Sequence, residues 1–131
     1  MGQPAARQND PVVGIDIHII MIPSPGGPVP TPLPHPYSGT IVSGCSPDVK
    51  INGLPAATKD SQSMNNPPHI PQGGPFQKPP SNQGKVMMGS VTVKINGKPA
   101  ARLGDQVITC NDPQDAPTCT ITAGSPTVLI G

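Results

Sequence analysis

The chain has almost no aromatic residues and few charged ones. Its 131 residues include no Trp, one Phe and one Tyr, and only 11% are charged, with no Glu among the acids. Large aromatic side chains usually dominate core burial, so any hydrophobic core here must be thin and aliphatic. A small domain with a thin core generally needs a further cross-link, such as a disulfide, a metal or a permanent partner.

The chain also has no strong excess of one charge sign and no long apolar run. The formal net charge is +1 without a basic run, which argues against nucleic acid as a partner. The apolar stretch 12–22 is interrupted by Asp16 and His18 and is too short to span a bilayer. Because the N-terminus has no charged segment followed by an apolar one, we expect no signal peptide and synthesis in the cytoplasm. Three cysteines, an odd number, do not indicate a disulfide framework in such a chain.

Proline and glycine are abundant instead. The 21 Pro and 15 Gly make up a share of the chain at which disorder is the default expectation. Seven prolines fall between Pro23 and Pro36, which predicts an extended polyproline-like loop and excludes both a helix and a central strand there. Residues 65–83 are similarly rich in Pro, Gly and Asn and predict a second loop. Both loops need an anchor if they are to be ordered.

An internal repeat organises the chain. The sequence KINGLPAA at 50–57 returns as KINGKPAA at 94–101. A third copy is divided between the chain ends, because SPTVLIG at 125–131 matches the front of the repeat and GQPAAR at 2–7 matches its back. If the three copies fold alike, the C-terminal strand lies beside the N-terminus and completes a closed, pseudo-threefold domain. Closure would leave little free strand edge.

Each complete copy has alternating apolar residues before Asn-Gly and Pro-Ala-Ala. Alternation around Asn-Gly predicts a type I′ β-hairpin, because both residues tolerate positive φ. Helical periodicity is not sustained anywhere. We therefore predict a single all-β domain over residues 1–131, built of short antiparallel hairpins with long Pro/Gly-rich loops. The alternating residues face either the core or a partner: Val49, Ile51, Val91, Val93, Ile95, Val128 and Ile130.

Two of the three histidines occupy the same place in two repeats. In each case the histidine lies 14 positions after the Pro of Pro-Ala-Ala, and it is His18 in one copy and His69 in another. In the remaining copy, Cys110 follows the same Pro by 11 residues. Threefold folding would bring these side chains together near the axis, with His35 in the Pro-rich loop as a candidate fourth ligand. Three imidazoles and one thiolate suit a closed tetrahedral zinc site.

Other interpretations of these residues remain open at this point. His35 lies between two prolines, which also fits an exposed loop. Cys45 and Cys119 compete with Cys110 for the thiolate position, although the register of the repeat favours Cys110. A disulfide between Cys110 and Cys119 would remove the thiolate from the metal, and a reducing cytoplasm disfavours it.

Arginine and aspartate recur together in two copies. Arg7 is followed by Asp10, and Arg102 by Asp105, at the same spacing. The two pairs are either equivalent ion pairs or parts of a solvated surface. Thr58 replaces the arginine in the remaining copy.

The recurring motif resembles the one that names the PAAR-repeat family. Residues 4–7 and 99–102 read PAAR, and residues 55–58 read PAAT. The resemblance extends over essentially the whole chain, including the divided copy. Members of this family resemble a small cone of β-hairpins with zinc near the tip, bound by three His and one Cys. They cap the trimeric VgrG spike of bacterial type VI secretion systems, and related proteins tip phage-like contractile machines.

The resemblance implies a cone-shaped, metal-stabilised spike tip that is not an enzyme. It implies one structural zinc per chain, held by His18, His35, His69 and Cys110. The implied partners are a trimeric VgrG-like spike, secreted effectors or adaptors and, transiently, a target-cell membrane, with no small-molecule substrate. From the bacterial cytoplasm the machine would secrete the protein to the outside or into a target cell. Because the repeat uses both termini, we expect a bare tip without an effector domain.

Two other functions are considered beside this one. The first is a zinc-stabilised β-repeat binding or adaptor module without an injection role, which only the partner would distinguish. The second is a zinc hydrolase. Against a hydrolase stand four candidate protein ligands, which leave no coordination position for water, and the absence of any Glu to act as general base.

Overall fold

The computed structural model describes residues 2–131, which form strands joined by turns and loops. None of these residues belongs to a helix long and apolar enough to cross a membrane. The strands are β1 (Gln3–Pro4), β2 (Pro11–Ile22), β3 (Val29–Ser43), β4 (Lys50–Ile51), β5 (Leu54–Pro55), β6 (Gln62–Asn65), β7 (Gln83–Val86), β8 (Lys94–Ile95), β9 (Lys98–Pro99), β10 (Gln106–Thr109), β11 (Ala116–Ile121) and β12 (Leu129–Ile130). The all-β prediction is confirmed.

Six antiparallel strands close into a small barrel in the order β10-β11-β2-β3-β6-β7. Closure leaves the barrel without a free edge. Not all hairpins are short, however. Strands β2 and β3 pair over 12 residues, from Pro11↔Thr40 to Ile22↔Val29, whereas their other neighbours pair only near the start of β2 and the end of β3. We call the part of β2 and β3 beyond the barrel, residues 15–38, the projecting hairpin.

The prediction that residues 23–36 form a loop is wrong for most of the segment. Only residues 23–28 form the turn, and Pro30, Pro32, Pro34 and Pro36 belong to β3. Their β2 partners Ile17, Ile19 and Met21 donate their N–H groups away from β3, so these are the non-hydrogen-bonded pairs of the ladder. At these alternate positions of β3 the backbone N–H would point away from β2, so a proline loses no hydrogen bond to that strand. On the other side, β6 pairs with β3 only from Gly39 onward. The prolines therefore sit where a strand tolerates them.

The loop predicted at residues 65–83 is present at residues 66–82 and packs along the projecting hairpin. Met21 donates its N–H to the carbonyl of Pro75 at 2.8 Å, and Gln77 donates to the carbonyl of Ile19 at 2.8 Å. Ile20 and Phe76 form an isolated β-bridge between these bonds. The free edge of β2 thus anchors the loop that its composition alone would leave disordered.

The three copies of the repeat form three small hairpins, which we call the hairpin layer. They are β4/β5, β8/β9 and the pair β1/β12 that joins the chain ends. The turns of the two complete hairpins have positive φ at both residues, with 53° and 82° at Asn52-Gly53 and 52° and 80° at Asn96-Gly97. The type I′ turns and the pairing of the two ends of the chain are therefore confirmed.

A closed ring of backbone hydrogen bonds joins the three copies. Ala6 donates to the carbonyl of Ala101, Ala101 to that of Ala57, and Ala57 to that of Ala6, each at 3.0 Å. All three side chains are fully buried. The backbones approach this closely because each side chain is only a methyl group. We call this feature the alanine ring.

The core lies on the two sides of the alanine ring. On the side of the hairpin layer it consists of Ala5, Ile51, Ala56, Ile95, Ala100 and Ile130. On the side of the barrel it consists of the alanine ring with Val12, Tyr37, Ile41, Val86, Val107, Cys119 and Ile121. The single Tyr is fully buried, and its hydroxyl lies 2.8 Å from Ser63 Oγ. Such small aliphatic layers agree with the thin core predicted from composition.

The arginine–aspartate pairs are equivalent ion pairs in two copies. In both, the Arg Nη2 lies 2.9 Å from one Asp oxygen, and the Arg backbone N–H donates to the other at 2.7 Å. The carboxylates of Asp10 and Asp105 are nearly buried. In the remaining copy the N–H of Thr58 donates to Ser61 Oγ at 2.9 Å. The neutral serine therefore keeps the backbone contact where no arginine is present to balance an aspartate.

Candidate metal centre

Strand β2 directs alternate side chains into the fold. Its inward positions run from Val12 through Gly14 to Asp16, His18 and Ile20, and the outward positions are more exposed. The carboxylate of Asp16 and the imidazole of His18 are therefore neighbours on the inward face of β2, whose other side chains are apolar. Both are almost completely buried, so each needs a partner in the interior.

Four potential metal donors meet beside this strand. One ligand atom from each of Asp16, His18, His69 and Cys110 lies within 4.8 Å of the other three. Cys110 Sγ is 3.7 Å from His18 Nε2 and 3.5 Å from Asp16 Oδ2, and His69 Nε2 is 3.0 Å from the same Asp16 oxygen. The structure therefore brings together the three residues that occupy equivalent places in the repeats.

His35 completes the group of histidines, although it is not among the four closest donors. The centroid of its ring lies 5.4 Å from that of His18 and 5.7 Å from that of His69. Its Nδ1 lies 2.9 Å from the carbonyl oxygen of Leu33, so Nδ1 carries the proton and Nε2 has a free lone pair. That Nε2 is buried and has no hydrogen-bond partner among the described residues. A buried ring nitrogen with an unused lone pair fits a metal ligand.

The environment of His18 also leaves Nε2 available as a donor. Its Nδ1 faces Asp112 Oδ2 at 3.5 Å, and that oxygen also accepts the N–H of Ile19 at 3.0 Å. A carboxylate beside Nδ1 favours the tautomer protonated there, which leaves Nε2 to face Cys110. Burial lowers the pKa of His18, and the neighbouring His69 lowers it further. The neutral imidazole that a metal requires is therefore the favoured form.

The thiol of Cys110 is protonated in the absence of a cation. Burial raises its pKa to about 12, and the negative charge of Asp16 adds to the effect. A bound divalent cation reverses this preference because it stabilises the thiolate directly. The sulfur is therefore a strong ligand for a metal and a poor nucleophile without one.

Apolar groups and two clefts surround the donors. The Phe76 ring lies 5.7 Å from that of His18 and 5.6 Å from that of His35, between centroids. A cleft of about 240 Å³ reaches His18 and Cys110, with Asp112 in its wall. A cleft of about 260 Å³ on the other side is lined by His35 and His69 with several prolines. The centre is thus covered by the loop of residues 66–82 and not by a thick shell of protein.

The residues present fit a divalent metal of the zinc type. Imidazole nitrogens and a thiolate are the donors that zinc prefers, and the buried lone pair on His35 has no other partner among the described residues. His18, His69 and Cys110 would hold the ion, with His35 or Asp16 beside them. A metal bound here would supply folding energy to a domain with little core.

Sequence analysis missed Asp16, Asp112 and Phe76. Asp16 is two residues from His18, and it lies on the same face of a strand whose other inward residues are apolar or Gly. A charged residue at an inward position is the pattern that would have indicated it. Asp112 and Phe76 come from loops, and their positions depend on tertiary contacts that no local pattern encodes.

The other two cysteines lie outside the centre. All three cysteines are free, so the alternative of a Cys110–Cys119 disulfide is not formed. Cys119 is buried, with its Sγ 3.5 Å from Thr109 Oγ1, and Cys45 is half-buried near the backbone of Ser43. Of the three cysteines, the structure therefore places beside the histidines the one that the register of the repeat predicted, Cys110.

The fold and site define a class of protein: a closed, pseudo-threefold β-domain with a buried cluster of metal donors. The model of the family described as PAAR motif matches residues 77–131. The matched part includes one complete copy of the repeat, Cys110 and the C-terminal part of the divided copy. Over these residues the chain matches the PAAR-repeat family, in agreement with the recurring motif. A search of curated proteins found no match.

Proposed function

We propose that the protein is the tip of an injection spike. It caps and sharpens a trimeric VgrG-like protein of a type VI secretion system or a related contractile machine, and so assists membrane puncture and effector delivery. The match of residues 77–131 to the PAAR motif family supports this proposal. The role is structural, and we assign no catalytic residues.

The outer face of the hairpin layer is the observation that carries the proposal. Val49, Val93 and Val128 occupy the same place in the three copies and are 37%, 37% and 36% exposed. The isoleucine two residues after each of these valines is buried in the core. One chain therefore presents three nearly identical apolar positions around a pseudo-threefold axis. Such a face is complementary to the end of a symmetric trimer.

The candidate metal centre supports the same role. We propose that His18, His35, His69 and Cys110 hold one structural zinc per chain. The ion would cross-link β2 and β3 to the loop of residues 66–82 and to the end of β10. Rigidity would then come from coordination bonds where there is little apolar surface to bury.

The remaining parts of the proposal concern the route of the protein. It would be made in the bacterial cytoplasm and leave with the spike when the machine contracts. Effectors or adaptors would travel on the same spike, and contact with a target membrane would be transient. The residues that would bind such cargo are not assigned.

The proposal is tested by binding to a trimeric, β-helical VgrG-like spike. The purified proteins are mixed and separated by size-exclusion chromatography with light scattering. We expect one chain per spike trimer. Val93→Asp places a charge on the outer face of the hairpin layer and should weaken binding at least tenfold, whereas Val29→Asp, at the far end of the projecting hairpin, should not.

Failure to bind any such spike would favour the independent β-repeat module. Binding that Val93→Asp and Val29→Asp weaken equally would show that the outer face of the hairpin layer is not the contact surface. Circular dichroism of both variants confirms that the fold is intact. Each valine is partly exposed, so neither substitution should unfold the domain.

A further inference from the structure

We propose that Asp16 is itself a ligand of the metal, through Oδ2. The inference rests on the metal centre proposed above and adds Asp16 as a fifth donor to the three-histidine, one-cysteine set, so the ion would be five-coordinate. The side chain of Asp16 has no exposure to solvent. A carboxylate in such a place must have all its lone pairs directed at specific partners.

The two oxygens of Asp16 have different kinds of partner. Oδ1 accepts hydrogen bonds from the hydroxyls of Thr109 and Thr118, the second at 2.7 Å. Oδ2 faces His69 Nε2 at 3.0 Å and Cys110 Sγ at 3.5 Å. Within residues 2–131 no other donor reaches Oδ2. The hydroxyls therefore hold the carboxylate in place, and its second oxygen points into the cluster of donors.

The partners of Oδ2 are atoms that lose their protons when they bind a metal. A coordinated sulfur is a thiolate, and a coordinated imidazole nitrogen carries no hydrogen. If His69 bound the ion through Nε2, the nitrogen that faces Asp16, and Cys110 bound it too, an unbound Oδ2 would be a buried carboxylate oxygen facing two acceptors. Coordination of the same ion by Oδ2 removes this conflict.

Distance and charge agree with direct coordination. Neighbouring ligands of a five-coordinate zinc, at angles of about 90–120°, lie about 2.8–3.8 Å apart, given the usual metal–ligand bond lengths. Oδ2 is 3.0 Å from His69 Nε2 and 3.5 Å from Cys110 Sγ, and this sulfur is 3.7 Å from His18 Nε2. One thiolate and one carboxylate also neutralise a divalent cation. The buried centre would then carry no net charge.

The first experiment uses cobalt(II) in place of zinc, because its visible absorption bands report the ligands directly. Wild type and Asp16→Asn are loaded with cobalt, and their spectra and affinities are measured by titration. Asparagine keeps the size of the side chain and removes its charge. We expect the bands to shift and the affinity to fall at least tenfold. An unchanged spectrum overturns the proposal, whatever happens to the affinity.

A second variant keeps the proposal testable if Asp16→Asn does not fold. In His35→Ala, Asp16, His18, His69 and Cys110 would still provide four donors and a closed site. Added azide should then leave the cobalt spectrum unchanged. If Asp16 is not a ligand, only three protein donors remain, water completes the shell, and azide replaces it with a clear change in the bands. That change overturns the proposal.

Thr118→Val is the matched control. It removes a hydrogen bond to Oδ1 and leaves Oδ2 in place, so the cobalt bands should keep their positions. The outcomes also separate this inference from the metal centre as a whole. Wild-type protein that binds no cobalt or zinc would overturn the metal centre, and Asp16 with it. Wild-type protein that binds the metal with a spectrum indifferent to Asp16→Asn would overturn Asp16 alone.

Discussion

Gly39 lies where the interior of the barrel has no space for a methyl group. A Cβ added there would lie 2.2 Å from the carbonyl oxygen of Met64 and 3.0 Å from the ring of Tyr37. The backbone of β6 would have to move. We therefore expect Gly39→Ala to destabilise the domain by about 1–3 kcal/mol, the usual range for overpacking.

Thermal and urea unfolding of the variant measure this cost. Gly26→Ala is the control, because nothing lies within 4 Å of a Cβ at that position. Equal unfolding midpoints for the two variants would show that β3 and β6 are not packed as closely as described.

Replacing Cys110 removes a single proposed ligand atom, its Sγ, and so tests the candidate metal centre. Wild-type protein should contain one zinc per chain by elemental mass spectrometry, and Cys110→Ala should lose most of it. Because metal binding contributes to folding, the melting temperature should fall with the metal content and respond no further to a chelator. Cys119→Ala removes another buried thiol outside the cluster and should retain the zinc. Zinc bound equally by both variants would contradict the assignment of the thiolate.

The sequence predicted part of the candidate site for a clear physical reason. His18, His69 and Cys110 occupy equivalent places in a repeat, so symmetry alone brings them together. Asp16 has no counterpart in the other copies at the same spacing. Its place depends on the pairing of β2 with β3 and on hydroxyls contributed by β10 and β11. Repeat symmetry cannot reveal a residue that only one copy provides.

At the scale of elements, Phe76 connects the loop of residues 66–82 to the candidate metal centre. It is half-buried, it bridges to Ile20, and its ring packs against two of the histidines. We expect Phe76→Ala to lower stability by about 1–3 kcal/mol, less than for a fully buried phenylalanine. We also expect zinc to pass faster to a chelator, because the cover over the histidines becomes smaller.

Stopped-flow transfer of zinc to a coloured chelator measures the second effect. Phe76→Leu keeps an apolar side chain of similar reach and should show a much smaller change. A loss of zinc at the wild-type rate in Phe76→Ala would mean that the ion leaves through the opposite cleft, beside Asp112.

Residues 29–36 were predicted to form a loop, but they belong to strand β3. Asn-Gly predicts the hairpins of the repeat correctly, because its effect on the turn is local. The effect of a proline depends instead on which side of the strand its missing N–H faces. Pro30, Pro32, Pro34 and Pro36 share one parity, so a single row of N–H groups is missing. Alternation of this kind is compatible with one paired edge.

At the scale of the whole molecule, the paired chain ends allow a circular permutation. Gln3 pairs with Ile130, so joining Gly131 directly to Gly2, without Met1, leaves a two-residue turn of the same length as Asn52-Gly53. New ends are placed between Gly26 and Gly27, in an exposed turn. Because the join replaces an open pair of ends with a short loop, stability should be unchanged or higher.

Circular dichroism melts and zinc content of the permuted protein measure this outcome. A control permuted between Asn96 and Gly97 opens an intact hairpin in place of the divided one, so it should match the wild type in stability and be less stable than the protein opened at Gly26. A permuted protein opened at Gly26 that fails to fold would contradict the equivalence of the three copies.

The imperfect symmetry of the hairpin layer limits the chemistry of any symmetric partner. Next to the three equivalent valines, the copies carry Lys50, Lys94 and Leu129 at one shared position, all exposed. A trimer with exact threefold symmetry has the same residue opposite each of them, whichever way the cap is seated. That single residue must accommodate two ammonium groups and one isobutyl group. A side chain with an apolar stem and a hydrogen-bonding end would satisfy both, whereas a second lysine or a small apolar residue would suit only some of the copies.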